Sequence, residues 1–510
     1  MMDVLLYIKY FYSIASLIVI GYVPVYFLLL NKKILDLEYK NLSGKFFIAF
    51  LCFYVGSFLA TLFLMVLSLF AIEFQFEYMV IFSIVFLCPA LYLYFSKRFA
   101  HREKIRLKRM IKGTVTLEND LEIKKGKVVE PKKIPRSSFK LTRKTPGTVI
   151  FVVLALLTFG SFLVVLFFTF LFPIRFWDAI SCWSLKGKAF FIDSDIFTFY
   201  TQHQYEFSHH SYPLYVSLLQ SWIYIWIDRV DENLVKIIFP MFYLSGIFTL
   251  YYFFRKNLGR ILSMLFVFVF SAIPIVADHG YIEYTNLLFS IVLLLGVYFF
   301  YLHRVKRKIG SYLVASSVFF ALLASIRTEG MAYLALFFVL NLGFMVHDLA
   351  KFKNKGRIFL NFLYSTGVAA LLLAPWLLIS YGLGLGLLSL EWQQLVGGEA
   401  AYMPGIAQAL RVMASQVLFS AYDSTRAFLG SAYGPVFLVL FVLFWVSIKR
   451  LFSRANWVPF IFICFGIISV FVSMVYIGDF EGSVERYLLH IFPLSYLWIL
   501  SNIPNIKKVG

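Results

Sequence analysis

Apolar runs, most of them about as long as a membrane crossing, alternate with short polar breaks along nearly the whole chain. The runs are Val4–Leu30, Lys45–Phe70, Tyr78–Phe95, Thr148–Pro173, Leu234–Phe254, Ile261–Ile275, Asn286–Leu302, Ser311–Ser325, Met331–Val346, Phe359–Ser380, Pro435–Ile448, Pro459–Val475 and Leu488–Leu500. A helix of about 20 apolar residues crosses a bilayer core. The pattern therefore predicts an all-α polytopic membrane protein with about 13 transmembrane helices. The first run continues to full spanning length, so no cleaved signal is expected.

Composition narrows the class further. Of 510 residues, 61% are hydrophobic and only 15% charged, too few charges to cover a soluble protein. The net charge is +20, and residues 97–145 hold 17 Lys/Arg against 5 Asp/Glu, a local net of +12. A basic block by itself points to nucleic acid. Here it lies between apolar runs, so it reads as a cytoplasmic segment beside anionic membrane lipid, with no nucleic-acid partner. Smaller Lys/Arg clusters occur in "NKK", "RKNLGR", "RVKRK", "KFKNKGR", "KRLFSR" and "NIKK". Placing all of them in the cytoplasm makes the spans alternate without a skipped crossing, with the N-terminus outside and the C-terminus inside. Three of the four cysteines lie in apolar runs, and Cys182 has no evident partner, so no disulfide framework is expected.

The chain divides into a three-helix membrane unit (1–97), a basic cytoplasmic segment (98–147) and a long membrane core (148–510). Within the basic segment, "TVTLENDLEIKKGKVVE" alternates around Asn119–Asp120 as a small hairpin would. The outward loops are Ile174–Asn233, "VADHGYIEYT", "IRTEG", Tyr381–Gly434 and "IGDFEGSVERY". They carry Asp178, Asp278, Glu283, Glu329, Glu481, Glu485 and Arg486 on one side of the membrane. Charge beside a span is costly, so a one-sided collection marks a candidate site.

Asp178 follows the fourth span in "RFWDAISCWSLKGKAFF". Trp177, Ile180, Trp183 and Leu185 are spaced as an interfacial amphipathic helix would space them, although each Trp taken singly is explained by an ordinary aromatic belt. An acid held there can take a proton from an incoming hydroxyl. In "QHQYEFSHHSYPLY", His203, Glu206 and His209 recur at every third residue, a weak metal-ligand spacing. Lining of the pocket is the stronger reading for this loop, and His210 and Tyr212 join the candidate substrate-binding set. Leu214–Trp226 is too short for a clear span and reads as a re-entrant or interfacial helix. Asp278 and Glu283, five apart across a tight loop, could hold a divalent ion or a hydroxyl; the sequence leaves metal dependence open. Arg327 and Glu329 read first as an internal ion pair and second as pocket residues. Arg486 opens the last span, and its planar fork suits phosphate, as the charges of Lys186 and Lys188 do less specifically.

Three stretches carry a family resemblance: "RFWDAISCWSLKGKAFF", "SYPLYVSLLQSWIY" and "ERYLLHIFPL". They resemble the GT-C superfamily of polytopic glycosyltransferases, and most of all bacterial members similar to protein O-mannosyltransferases and aminoarabinose transferases. The resemblance covers roughly residues 148–510. Ala179 follows Asp178 where many members have a second acid. The resemblance implies a GT-C-like core with large extracytoplasmic loops bearing juxtamembrane helices. It implies a polyprenyl-phosphate-linked sugar donor, a hydroxyl acceptor and a multi-pass place in the cytoplasmic membrane with an outward site. Its essential first-loop acid maps onto Asp178 as general base, and its second acid onto Glu283. A polysaccharide polymerase or ligase using lipid-linked sugars, and a transporter or flippase, are the competing readings.

Overall fold

The computed structural model describes residues 2–30, 42–96, 146–306, 310–385, 433, 436–452, 456–477 and 483–503. Every regular element among them is helical. The basic segment, its candidate hairpin and most of the Tyr381–Gly434 loop lie outside the described residues. Among the described residues the apolar runs fold as helices with bounds shifted by a few residues, except that Ile261–Ile275 runs across a break between two helices. Eight helices among the described residues are long and apolar enough to cross a membrane, or nine if one bent pair is counted as a unit.

The N-terminal helices are α1 (Met2–Val25, running into a π-helical turn Tyr26–Leu30), α2 (Leu42–Leu69) and α3 (Phe76–Ser96). The helices α1 and α2 cross at Gly21 and Gly56. A Cβ on Gly21 would lie 1.8 Å from the Cys52 carbonyl oxygen, and one on Gly56 1.7 Å from that of Leu17. Only glycine permits so close an approach, the usual device where lipid supplies no hydrophobic drive. The helix α4 (Pro146–Leu171) is mostly exposed, as α3 is; both turn apolar faces to lipid.

Between α4 and the next span lies the large loop, and it is largely helical. It contains a π-helical segment (Ala179–Ser184), α5 (Leu185–Ile192), α6 (Phe197–Thr201), α7 (Tyr215–Ile227) and α8 (Glu232–Val235). Of the re-entrant and interfacial readings of the Leu214–Trp226 stretch, the interfacial one is overturned. All thirteen residues of α7 are buried, enclosed by α1, α2 and α5. The Trp222 indole donates to the Ser13 carbonyl (3.3 Å), and the Tyr215 and Ser57 hydroxyls bond at 2.6 Å. So the N-terminal helices pack directly on the loop that bears Asp178.

The chain continues with α9 (Ile238–Asn257), α10 (Arg260–Ala272) and α11 (Pro274–Tyr281). Pro274 opens α11, and the α10–α11 axis bends by 67° there. Asp278 and His279 therefore sit on a helix, not in the tight loop expected from sequence. Next come α12 (Asn286–Val305), α13 (Gly310–Ile326), α14 (Glu329–Lys351) and α15 (Lys355–Gly382). At 17 residues α13 is short for a crossing, but it is wrapped by α12, α14 and α15 and needs no match to lipid thickness. The last three helices are α16 (Val436–Leu451), α17 (Trp457–Ile477) and α18 (Ser483–Leu500). Among the described residues the N-terminal ends of α12 and α18 meet at Asn286 and Arg486, while the C-terminal ends of α9, α12 and α14 meet at the Lys256–Tyr298 and Arg304–Asp348 contacts, so Arg486 and Asp178 lie at one end of the bundle and Lys256 and Arg304 at the other.

Candidate functional site

The site is built on the π-helical segment after Asp178. A π turn widens the helix and leaves carbonyls without their usual partners. Serines from elsewhere in the loop take them up: Ser208 donates to the Ser181 carbonyl (2.6 Å) and Ser217 to that of Trp183 (2.9 Å). Ser221 donates to the Gly187 carbonyl one turn further on (2.9 Å). A Cβ on Gly187 would meet Gln220 Oε1 at 2.8 Å, so α5 and α7 touch almost backbone to side chain. The loop that carries the acid is in this way bolted to buried α7. The amphipathic reading of the segment holds for Trp177 and Ile180, which are exposed, while Trp183 is fully buried and stacks on Tyr212 (centroids 5.6 Å apart).

Asp178 reaches Arg486 across 308 residues of sequence: Arg486 Nη1 donates to Asp178 Oδ2 at 2.8 Å. The side chains are 38% and 28% exposed, so the pair stands at an open mouth. Arg486 is fixed from behind. Its guanidinium lies over the Tyr284 ring (5.2 Å), and its carbonyl accepts from the Asn286 amide (3.2 Å). The same amide nitrogen lies 3.3 Å from His490 Nε2. A carbonyl can only accept, so this nitrogen is the Asn286 donor, and His490 Nε2 accepts. Below the mouth, Arg327 bonds Glu329 through Nε (3.2 Å) and Nη2 (2.8 Å), and its Nη1 reaches the Thr285 hydroxyl (3.4 Å). The Arg327 guanidinium faces the rings of Tyr212 and Tyr487 at 5.7 and 5.9 Å. The internal-pair reading of Arg327 and Glu329 is thus what the geometry displays, beside the Asp178–Arg486 mouth.

Lys186 is completely buried, and its ammonium donates to the His209 carbonyl at 2.5 Å. Burial disfavours the charged form and brings its pKa down to about 7. Burial first, and then the nearby Lys186 charge, lowers the pKa of His210, whose Nε2 bonds the Tyr205 carbonyl (2.9 Å). Lys188 is half-buried and pairs with Glu232.

Glu283 is buried, and burial pushes its carboxyl up to about 7; its charged neighbours are Lys236, Arg175 and Glu232, not the Asp178–Arg486 pair. Asp278 accepts from the Tyr281 hydroxyl (3.0 Å). The chain therefore brings Asp178, Arg486, Arg327, Glu329, Lys186 and Tyr212 into one cluster, with Glu283 and Asp278 on a neighbouring face. His203 and Glu206 bond each other (2.6 Å) at 97% and 68% exposure, a solvated surface pair. Among the described residues, no group of three or more His, Cys, Asp or Glu side chains is arranged to hold a metal ion.

Sequence reasoning passed over Tyr284, Asn286 and His490. One signal was available: Arg486 and His490 are four apart, so they share a face of α18, and a polar side chain in an apolar helix needs a partner. Compared with protein-family models, curated proteins and solved structures, the chain matches none.

Proposed function

We propose that the protein transfers a sugar from a polyprenyl-phosphate donor to a hydroxyl acceptor on the extracytoplasmic face of the membrane, through a GT-C-like core of about 13 spans. The observation that carries the reading is the Asp178–Arg486 pair, a carboxylate and a phosphate-type guanidinium joined at a half-open mouth. An ion pair this exposed contributes only about 0–1 kcal/mol, so an incoming phosphate displaces the carboxylate at little cost. Arg486 then holds the donor phosphate by charge-assisted bonds. The freed Asp178 takes the proton of the acceptor hydroxyl while that oxygen bonds the anomeric carbon. The bond from that carbon to the phosphate oxygen breaks, and its electron pair leaves with the phosphate. Attack opposite the leaving group inverts the anomeric centre. Arg327, facing Tyr212, and the partly charged Lys186 add positive potential where the negative charge develops.

A transporter would use the bent α10–α11 pair as a broken span. Its ionisable groups would gather at mid-depth, whereas here they gather at helix ends. A polymerase or ligase acting on lipid-linked sugars would share this mouth and take a larger donor. Transfer from a purified lipid-linked sugar tests the proposal. Asp178→Asn keeps the shape of the side chain but removes the base, and transfer falls about a hundredfold or more. Arg486→Ala weakens donor use by roughly ten- to a hundredfold and Arg486→Lys by less. A folded Asp178→Asn protein working at the wild-type rate would falsify the mechanism.

A further inference from the structure

The bundle end opposite the acid cluster holds a cavity of about 330 Å³ between α9, α12, α17 and α18. That volume is in the range of roughly 300–1,000 Å³ that ligand sites occupy. Its walls change character with depth. Toward the helix ends it is lined by Asn257, Tyr301, Asn456, Ser501 and Asn502. Inward, Phe253, Leu294, Val297, Leu494 and Leu497 form an apolar floor. Along α12 the lining runs from Leu294 to Val305, about 16 Å at 1.5 Å per residue. The space is therefore long, polar at the rim and oily below.

The rim is partly organised already. Tyr301 donates to Asn456 Oδ1 (2.9 Å), and the Asn456 amide donates to Asn502 Oδ1 (3.1 Å). Ser501 is the exception, for its hydroxyl is buried and has no hydrogen-bond partner. A buried hydroxyl without a partner costs free energy until something accepts from it. Positive charge stands beside the rim. The Lys256 ammonium donates to the hydroxyl of Tyr298, a lining residue (3.1 Å), and Arg450 bonds the Ile503 carbonyl next to Asn502 (3.3 Å).

We infer that this cavity is a binding site for an anionic phospholipid of the adjacent leaflet, with the head at the Ser501–Asn502 rim and the upper acyl chain against Leu294 and Leu494. The apolar floor suits a chain and would gain nothing from a free phosphate ion. The Asn456 and Asn502 amides already donate to protein acceptors, so it is the Ser501 hydroxyl and the neighbouring Lys256 charge that suit a phosphodiester oxygen. The site lies at the opposite end from the proposed transfer mouth, so it stands or falls apart from that reading.

The test uses the purified full chain, reconstituted into vesicles of equal phosphatidylglycerol and phosphatidylcholine, re-extracted in mild detergent and weighed by native mass spectrometry. The expected result is one retained phosphatidylglycerol per chain in excess over phosphatidylcholine. Lys256→Gln, at an exposed position, cuts that preference roughly fivefold, the share of one basic residue near a lipid surface. Leu497→Trp fills the floor and abolishes retention. Ser501→Ala, which adds no bulk, lowers retention and serves in its place where Leu497→Trp does not fold. Equal retention of the two lipids by the wild type, or a preference unmoved by both Lys256→Gln and Ser501→Ala, overturns the assignment.

Discussion

Among the described residues, each end of the helix bundle holds a largely buried arginine–carboxylate pair, and the two have matching exposures. At the basic end, Arg304 on α12 grips Asp348 on α14 at 2.7 and 3.3 Å. At the other end, Arg327 holds Glu329 at 2.8 Å, and the exposures are 9% and 15% in both pairs. The ends differ in what surrounds the pair. The acid end adds the half-open Asp178–Arg486 pair, the buried amine of Lys186 and the buried carboxyl of Glu283. Closed pairs neutralise themselves, whereas an open pair and buried single charges leave electrostatic free energy that a ligand can use.

The largest expected effects test the matched pairs. Glu329→Gln and Asp348→Asn each leave a buried guanidinium without its counter-charge, at a cost of about 3–5 kcal/mol. Thermal unfolding in detergent should show comparable losses for the two. Transfer per folded molecule should then survive Asp348→Asn and collapse in Glu329→Gln. Loss of transfer in folded Asp348→Asn would erase the distinction between the ends.

The next effect is pH-dependent and belongs to the acid end. Folding lowers the Lys186 pKa from 10.5 to about 7. Between those values the unfolded chain binds a proton that the folded chain lacks, so stability rises with pH across that window, by about 1 kcal/mol per unit. Glu283 has the opposite sign. Its pKa rises from 4.5 to about 7, so between those values the folded chain holds the extra proton, and stability falls as pH rises. Unfolding midpoints across pH 5–10 should show both slopes. Lys186→Met should flatten the alkaline one and Glu283→Gln the acidic one; an unchanged profile in either variant would mean that its group is hydrated in the folded protein.

The smallest effect is expected at His203. Its pair with Glu206 is exposed, so His203→Ala should change neither unfolding nor transfer. A loss of transfer that added zinc restores would return metal chemistry to this loop.

Much of the fold was legible because apolar runs of spanning length have few alternatives. The helix bounds of α2, α4, α12 and α15 follow the runs within a few residues. Three features were not legible. Helix α7 looked interfacial because it is short, yet its Ser217, Gln220 and Ser221 face the π segment and α5, and only packing reveals that. The 67° bend at Pro274 was signalled by the proline, but the continuation of the helix through Asp278 was not. The burial of Lys186, read from sequence only as a charge suited to phosphate, was not legible either, because a sequence carries no measure of burial.

By itself the sequence determined the helical class, the positions of most helices and the choice of Asp178 and Arg486 as chemically capable groups. Those follow from local composition, since hydropathy and charge act through each residue's own transfer free energy. The tertiary structure alone decided that these two groups touch, that Glu283 turns toward Lys236 and Arg175, and that Lys186 is dry. Contact across 308 residues depends on how α18 packs against the loop after α4. Burial is a property of everything that surrounds a side chain, which no local stretch specifies.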